Sequence, residues 1–592
     1  MTSKQIRMKI NGKKFLMYEG ISILDACEEV GIKIPSLCYL EGVSKRASCG
    51  ICMVEIAGAN TLMRACVTPI REGIEIFTNT ERVRKARQTN IKLLLANHPR
   101  NCLECDKNLR CELQKMADDL GVKDIEYPNI KNQEQPLDLS SNSIVRDPEK
   151  CILCARCVEV CSRVQGVAAI DIAERGIDAH VATFFNKGLS ESECVNCGQC
   201  LLVCPTGALM VKSEVDKVWE ALDDPDSYVV VQTAPAVRAA IGEEFGIEPG
   251  EPLTGKLTAA IRRLNFDKVF DTQFTADLTI VEEGNELLAR IQEGGQLPLI
   301  TSCSPGWISF AETFFPEVIP YLSSCKSPQQ MFGALAKTYY AEKESISPEK
   351  IKVVSVMPCT AKKHEARRPE MNSAAEYWKK RGRKNSELPS RDVDYVLTTS
   401  ELADMFREAG IDFNKLAGEK FDLPLGISTG AGTIFGATGG VMEAALRTVY
   451  AVLTGESLKD LNLMSVRGME GIREAEIEID GRKIKAAVAH GLKNGRQLME
   501  EVSAGNSPYH FIEIMACPGG CIGGGGQPAP ADEKILKKRA EALYKEDESK
   551  EIRESHKNPA IIELYKEYLE KPLGEISHEL LHTHYSKRED YR

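Results

Sequence analysis

Cysteine carries the chemistry in this sequence, and the densest signal lies near its end. Glu513–Pro528 reads EIMACPGGCIGGGGQP, with Cys517 and Cys521 four residues apart. The apolar run His510–Met515 before them reads as a buried strand. The glycine-rich turn after them lets the main chain approach a bulky ligand closely and offer it bare N–H groups. Two other segments share this layout of apolar strand, cysteine, then proline or polar residues: PLITSCSPGW at Pro298–Trp307 and VVSVMPCTAKKHE at Val353–Glu365. Three strand ends bearing Cys303, Cys359 and the Cys517/Cys521 pair point to one metal site assembled from distant parts of the chain.

The remaining cysteines look like wiring into that site. Of 21 cysteines, 16 fall between Cys27 and Cys204, and in a long chain such clustering favours metal over disulfide. Cys38, Cys49, Cys52 and Cys66 follow C-x10-C-x2-C-x13-C. That spacing suits a [2Fe–2S] ligand set and resembles plant-type ferredoxin modules, with zinc as the rival. His98, Cys102, Cys105 and Cys111 follow H-x3-C-x2-C-x5-C. A histidine in register with three cysteines reads as a fourth [4Fe–4S] ligand, and a neutral imidazole should raise the cluster potential; a Cys3His zinc site is the rival. Cys151, Cys154, Cys157, Cys161 and Cys194, Cys197, Cys200, Cys204 are two C-x2-C-x2-C-x3-C runs. In such bacterial two-cluster modules the fourth cysteine ligates the other cluster. One [4Fe–4S] therefore takes Cys151, Cys154, Cys157 and Cys204, and the second takes Cys161, Cys194, Cys197 and Cys200. Cys27 reads as a small buried hydrophobe. Four clusters in a row imply electron transport.

These sites must be held by several domains, since 592 residues exceed one core. Ile6–Tyr18 reads as a hairpin about Asn11-Gly12, Ser22 as the start of a helix closed by Gly31, and Ile74–Phe77 as a further strand. Val83–His98 reads as a basic amphipathic helix, Glu126–Ser143 as a linker and Lys212–Ser227 as a charged connector. Arg146, Lys150 and Arg156 read as surface charge. Beyond Tyr228, apolar segments alternate with helical patterns at Leu253–Leu264 and Leu446–Leu453, implying α/β layers with sites at strand C-terminal ends. Net charge −11 argues against a nucleic-acid partner. No run approaches membrane-spanning length and MTSKQIRMKI has no secretory apolar region, so the expectation is a cytoplasmic chain.

TSCSPGW, MPCTAKKHE and EIMACPGGCIGGGGQP, in that order, resemble the signatures of the [FeFe]-hydrogenases, and the resemblance extends through the accessory cluster motifs. It implies a multidomain α/β and α+β architecture. Residues 1–80 would be a β-grasp [2Fe–2S] domain, 81–135 a His/Cys3 cluster domain, 136–215 a two-cluster ferredoxin domain, 216–530 a large α/β catalytic domain, and 531–592 a small-subunit-like helical tail. It also implies an H-cluster: a [4Fe–4S] cubane joined through one thiolate to a diiron site carrying CO, cyanide and an azadithiolate bridge. By motif position Cys521 is the bridging thiolate, with Cys359 and Cys517 on the cubane. Lys362 would hydrogen-bond cyanide, oriented by Glu365, and Pro235, Pro328, Gln329, Met357, Phe435 and Met515 would line the pocket. The implied proton relay is Cys303, Glu283, Ser323, Glu286 and Arg290, with its outer end at Arg290. Taken without the resemblance, Glu283, Glu286 and Arg290 read as a solvated helix face with an ordinary Glu–Arg pair.

The first motif departs from the family, which has two adjacent cysteines there, a relay and then a cubane ligand. Here Cys303 is followed by Ser304. Either Ser304 ligates through oxygen, or Cys303 ligates and the relay changes, or the cluster is incomplete; the ungapped register through Pro328 and Cys359 keeps Cys303 at the relay position. Ala236 stands where some relatives carry serine, and Cys325 reads as a buried structural thiol. HELLHTHY at His578–Tyr585 reads as a surface helix end.

The implied activity is reversible H2 formation from protons and electrons. The implied partners are ferredoxin and NAD(P)H- or flavin-binding subunits like those of multimeric, including electron-bifurcating, enzymes; no GxGxxG motif is present, so a nucleotide site would lie on another subunit. The alternatives are an electron-transfer subunit like the cluster-bearing large subunit of NADH dehydrogenase, which leaves Cys359, Cys517 and Cys521 unexplained, and a hydrogenase-like sensor or iron–sulfur assembly protein.

Overall fold

The computed structural model describes residues 4–130, 136–479 and 481–588. At the N-terminal end Gln5–Ile10 and Lys13–Tyr18 form the expected hairpin, with Asn11 and Gly12 at positive φ as a two-residue turn requires. Strands Glu75–Phe77, Met53–Ile56 and Met63–Arg64 complete a five-stranded mixed sheet. Helix Ile23–Glu29 covers it, started by a Ser22/Asp25 capping box, and Cys27 is fully buried beneath. The next helix, Glu81–Ala96, begins two residues earlier than the sequence suggested because Thr80 caps it; His98 lies just beyond its end. Of the expected linker Glu126–Ser143, residues 131–135 lie outside the described part.

Two arginines correct the sequence reading. Arg146 and Arg156 are buried, bonded to Asp138 and Glu112, and they pin the ferredoxin-like segment rather than decorate it. Lys212–Ser227 is likewise no simple connector. It contains helix Val215–Asp223, whose Val215, Val218 and Ala221 face the core at helical spacing.

The large C-terminal half holds two four-stranded sheets. In the first, Lys268–Asp271, Tyr228–Thr233, Ile351–Met357 and Tyr395–Thr398 run parallel in that order. Their near-continuous Val and Ile content fits strands covered on both faces. In the second, Leu299–Ile300 and Arg482–His490 flank Phe511–Met515 in parallel, and Ile472–Ile479 adds an antiparallel edge. Helix Thr272–Glu293 is buried along most of its length. Helix Gly440–Thr454, longer than the sequence indicated, packs on it. The helices Glu533–Ser549, Pro559–Leu564 and Glu575–Leu581 fold back onto this half. Buried Arg447 ties down the first of them by bonding Asp547. Among the described residues no helix is long and apolar enough to cross a membrane.

Candidate active site and cluster sites

The three cysteine motifs meet. Cys303, Ser304, Cys359, Cys517 and Cys521 line one cavity with mostly apolar walls. Cys359 follows strand Ile351–Met357 of the first sheet, while the other motifs leave parallel strands of the second. The cavity thus lies at the carboxyl ends of strands from both sheets, where side chains and free backbone groups converge. Pro235, Pro305 and Pro328 each sit at the first turn of a short helix over the cavity, a position where the missing N–H costs nothing. Gln329, Met357, Phe435 and Met515 complete the wall.

Glycine is needed where the last loop closes. A Cβ on Gly520, at φ +88°, would come within 2.6 Å of the Thr438 nitrogen, and one on Gly524 within 2.1 Å of the Pro358 oxygen. The first contact seats the Cys517–Cys521 loop against Thr438 and the second against the Cys359 loop, with no room for a side chain at either glycine.

Polar groups in the wall are few. Lys362 donates to both Glu365 oxygens at 3.0–3.1 Å and to the Cys303 carbonyl at 3.0 Å. Glu365 also accepts from Gln329 at 3.0 Å and Ser327 at 2.8 Å. The buried Gln329 Oε1 has no partner and belongs to the cavity wall. Burial pushes the Cys359, Cys517 and Cys521 thiols up, Cys521 to about 12. A cationic centre is therefore what would hold them as thiolates. Soft donors, a buried ammonium and a glycine cradle fit an iron–sulfur group with anionic ligands.

Cys303 and Ser304 face different neighbours. Cys303 packs with the apolar cluster of Phe435 and Met515 and feels the Glu283 charge, which together with burial pushes its thiol well up. Ser304 Oγ accepts from the Ala516 N–H at 3.2 Å, beside Cys517.

A file of polar groups leads away from Cys303. Glu283 is buried, and burial, then the Glu286 charge, pushes its carboxyl up to about 8. Ser323 donates to Glu286 Oε2 at 2.9 Å, and Arg290 donates to Glu286 Oε1 at 2.7 Å. The solvated-face reading of this helix fails, since Glu283 is 1% and Glu286 9% exposed. The sequence missed His582. It was read as part of a surface helix end, but it is buried, 3.1 Å from Glu282 and 2.8 Å from Ser324. Cys325 is buried as expected.

The other cysteines fall into groups matching their spacing. Cys38, Cys49, Cys52 and Cys66 are all buried together, Cys52 and Cys66 sulfurs 3.4 Å apart. His98, Cys102, Cys105 and Cys111 line one cavity. Cys151, Cys154, Cys157 and Cys204 line another, and Cys161, Cys194, Cys197 and Cys200 a third, the crossed grouping expected. Cys197 also lines the large cavity. Thr360 Oγ1 donates to the Asn196 carbonyl at 2.7 Å and Gln199 to the Gly523 carbonyl at 2.8 Å, locking the two regions together.

Comparison with known proteins agrees with this layout. Residues 227–525 match the model for the iron only hydrogenase large subunit, C-terminal domain, and 533–588 that for the iron hydrogenase small subunit. Residues 3–81 match a 2Fe-2S iron-sulfur cluster binding domain, 87–126 the NADH-ubiquinone oxidoreductase-G iron-sulfur binding region, and 145–208 a 4Fe-4S dicluster domain. The chain is 49% identical to the NADP-reducing hydrogenase subunit HndD of Solidesulfovibrio fructosivorans, over 99% of both chains. It is 41% identical to iron hydrogenase 1 of Clostridium pasteurianum, over 98% of this chain and 99% of that one. A structure of an [FeFe]-hydrogenase HydA1 variant from Chlamydomonas reinhardtii is 45% identical, with TM-score 0.56, over 63% of this chain and 99% of that one.

Proposed function

The chain belongs to the [FeFe]-hydrogenase family, and on that premise we propose which of its residues hold the clusters, move protons and meet partners. It is an oxidoreductase that interconverts H2 with protons and electrons, using an H-cluster, one [2Fe–2S] cluster and [4Fe–4S] clusters. The observation that carries the site assignment is the convergence of Cys359, Cys517 and Cys521 with Lys362 on one apolar cavity. When bound, the H-cluster supplies an iron site and pendant base where H2 is made or split, and the accessory clusters deliver or remove electrons.

Cys359, Cys517 and Cys521 would hold the H-cluster through their thiolates, and Ser304 would add a hydroxyl oxygen to that donor set. Its side chain lies by Ala516, beside Cys517, whereas Cys303 is turned among Phe435 and Met515 and within the field of Glu283. Lys362, fixed by Glu365 and the Cys303 carbonyl, presents its ammonium to anionic ligands. Pro235, Pro328, Gln329, Met357, Phe435 and Met515 exclude water, strengthening those polar contacts.

Protons reach Cys303 Sγ from Glu283 and pass between Glu283 and Glu286 by way of Ser323, with Arg290 holding the outer carboxylate. A carboxyl pushed up to about 8 carries a proton at neutral pH and still releases it, as a relay requires. Cys38, Cys49, Cys52 and Cys66 would hold the [2Fe–2S] cluster, and His98, Cys102, Cys105 and Cys111 and the two ferredoxin-type sets would hold [4Fe–4S] clusters, which would supply electron transfer to the cavity. Cys197 forms the contact between the last set and the cavity. The resemblance to an NADP-reducing hydrogenase subunit supports NAD(P)-linked partner subunits; ferredoxin as a further electron partner and a cytoplasmic location complete the proposal. An electron-transfer subunit alone would not account for the match over 227–525.

The test is H2 evolution from reduced viologen after full maturation, read with the infrared bands of CO and cyanide. Bands with H2 turnover are expected. Bands present without turnover would overturn the proposed site.

A further inference from the structure

The proposed relay reaches Glu286, and the groups around Glu286 divide sharply. On one side Arg290 donates to Glu286 and to the carbonyls of Gln296, Tyr321 and Leu322. A guanidinium stays protonated in proteins, so Arg290 anchors the carboxylate without taking or giving its proton. On the other side stands Ser324. Its N–H lies 3.1 Å and its hydroxyl 3.4 Å from Glu286 Oε2, and the same hydroxyl is 2.8 Å from His582 Nδ1.

His582 has a built environment. Its Nε2 is 3.1 Å from Glu282 Oε2. The fully buried Glu282 also accepts from the Tyr565 and Ser577 hydroxyls and from the Leu573 N–H. Burial pushes the Glu282 carboxyl up, but the hydrogen bonds of His582, Ser577 and Tyr565 outweigh it and hold it low, so a carboxylate stands beside His582 Nε2. One turn earlier the exposed His578 lays its ring 4.3 Å, centroid to centroid, from that of His582. The titratable or charged groups around this pair are Glu282, Glu286 and Arg290 from the long helix, Cys325 beside Ser324, and Tyr565.

We propose that Ser324, His582 and His578 form a second proton outlet that links Glu286 to solvent through the C-terminal segment. The inference rests on the reading of Glu286 as part of the relay. In the inward direction the Nδ1–H bond of protonated His582 breaks as a new Ser324 Oγ–H bond forms. The original Ser324 O–H bond breaks as a Glu286 Oε2–H bond forms. Neutral His582 and neutral Glu286 remain and no electrons move; the Ser324 hydroxyl then rotates back towards Glu286, and His582 regains its Nδ1–H bond from a hydronium that gives up one O–H bond, admitted beside the exposed His578 ring that packs on it. H2 oxidation runs the same steps outward. A histidine is suited to the solvent end because its charge changes near neutral pH.

The test uses the full, matured chain with Ser324→Ala, His582→Gln and His582→Ala, and His584→Ala as an exposed-histidine control. Ser324→Ala keeps the Ser324 N–H on Glu286 and leaves His582 on Glu282, so it cuts the wire without removing the tether. Turnover in Ser324→Ala and His582→Gln should fall roughly tenfold or more with KM for H2 unchanged. Imidazole should restore His582→Ala but not Ser324→Ala. In protein lacking the diiron site, the infrared band of the Glu286 carboxyl should respond to His582→Gln, and that response should be missing when Ser324→Ala is already present. Turnover within twofold of the parent for both Ser324→Ala and His582→Gln at every pH would overturn the outlet. Full activity of Glu283→Gln would instead sink the relay reading on which it rests.

Discussion

Replacing Glu283 by glutamine should move activity and stability in opposite directions. Burial, and then the charge on Glu286, raise this carboxyl from 4.5 to about 8. A group raised in the folded state binds its proton more tightly there than in the unfolded chain. The stability linked to it is fully present below about pH 4.5 and is lost as pH rises to about 8. At 1.36 kcal/mol for each pH unit, that loss is about 5 kcal/mol. Glutamine has nearly the same shape and cannot ionise, so Glu283→Gln escapes the loss. Above pH 8 the variant should hold helix Thr272–Glu293 more firmly than the parent, and at acid pH the two should match. Hydrogen exchange of that helix, measured from acid to alkaline pH, reads the difference locally without needing global two-state unfolding. Glutamine also cannot hand on a proton, and H2 evolution should fall by roughly 10²–10⁴. The reasoning is refuted if both proteins loosen equally with rising pH, or if the variant keeps more than a tenth of parental turnover.

Lys362→Met leaves Glu365 buried without its cation and should cost roughly 3–5 kcal/mol locally; the CO and cyanide infrared bands after maturation should be weak or missing. His98→Cys replaces a neutral ligand with an anionic one and should lower that cluster's midpoint potential, measured by redox titration with electron paramagnetic resonance. Cys303→Ala should abolish most turnover while the cubane resonance persists, whereas Ser304→Ala should alter or erase that resonance; the reverse pattern would make Cys303 the ligand.

The grouping of the cysteines was the part most legible in the sequence, because spacing within a short loop constrains coordinates directly. The crossed grouping of Cys151, Cys154, Cys157 and Cys204 is visible both in the two C-x2-C-x2-C-x3-C runs and in the folded cavity. The hairpin at Asn11-Gly12 and the Ser22 cap were legible for the same reason, since each is decided by residues within one turn. The helix Val215–Asp223 was not, because its charged exposed face masked an apolar stripe that only the core beneath makes meaningful. The same ambiguity hid the ion pairs of Arg146 and Arg156, whose partners Asp138 and Glu112 are set by tertiary packing.

The proposed proton path shows where spacing alone runs out. Glu283, Glu286 and Arg290 at intervals of three and four would look the same on a wet helix as on a buried one. What separates the cases is the cover, and the cover comes from almost 300 residues away. His582, Tyr565 and Ser577 all bond Glu282, one position before Glu283 on the same helix. The C-terminal helices thereby remove water from a run of carboxylates that would otherwise be ordinary surface. Burial then raises Glu283, while bonding partners hold Glu282 low, so adjacent glutamates take opposite charge states at neutral pH. Stripping the tail's contacts should therefore lower the Glu283 carboxyl towards 4.5 as solvent enters. An infrared titration of that carboxyl in a Tyr565→Phe/Ser577→Ala/His582→Gln variant would read the change, and a carboxyl still titrating near 8 would show that the helix is sealed by its other neighbours instead.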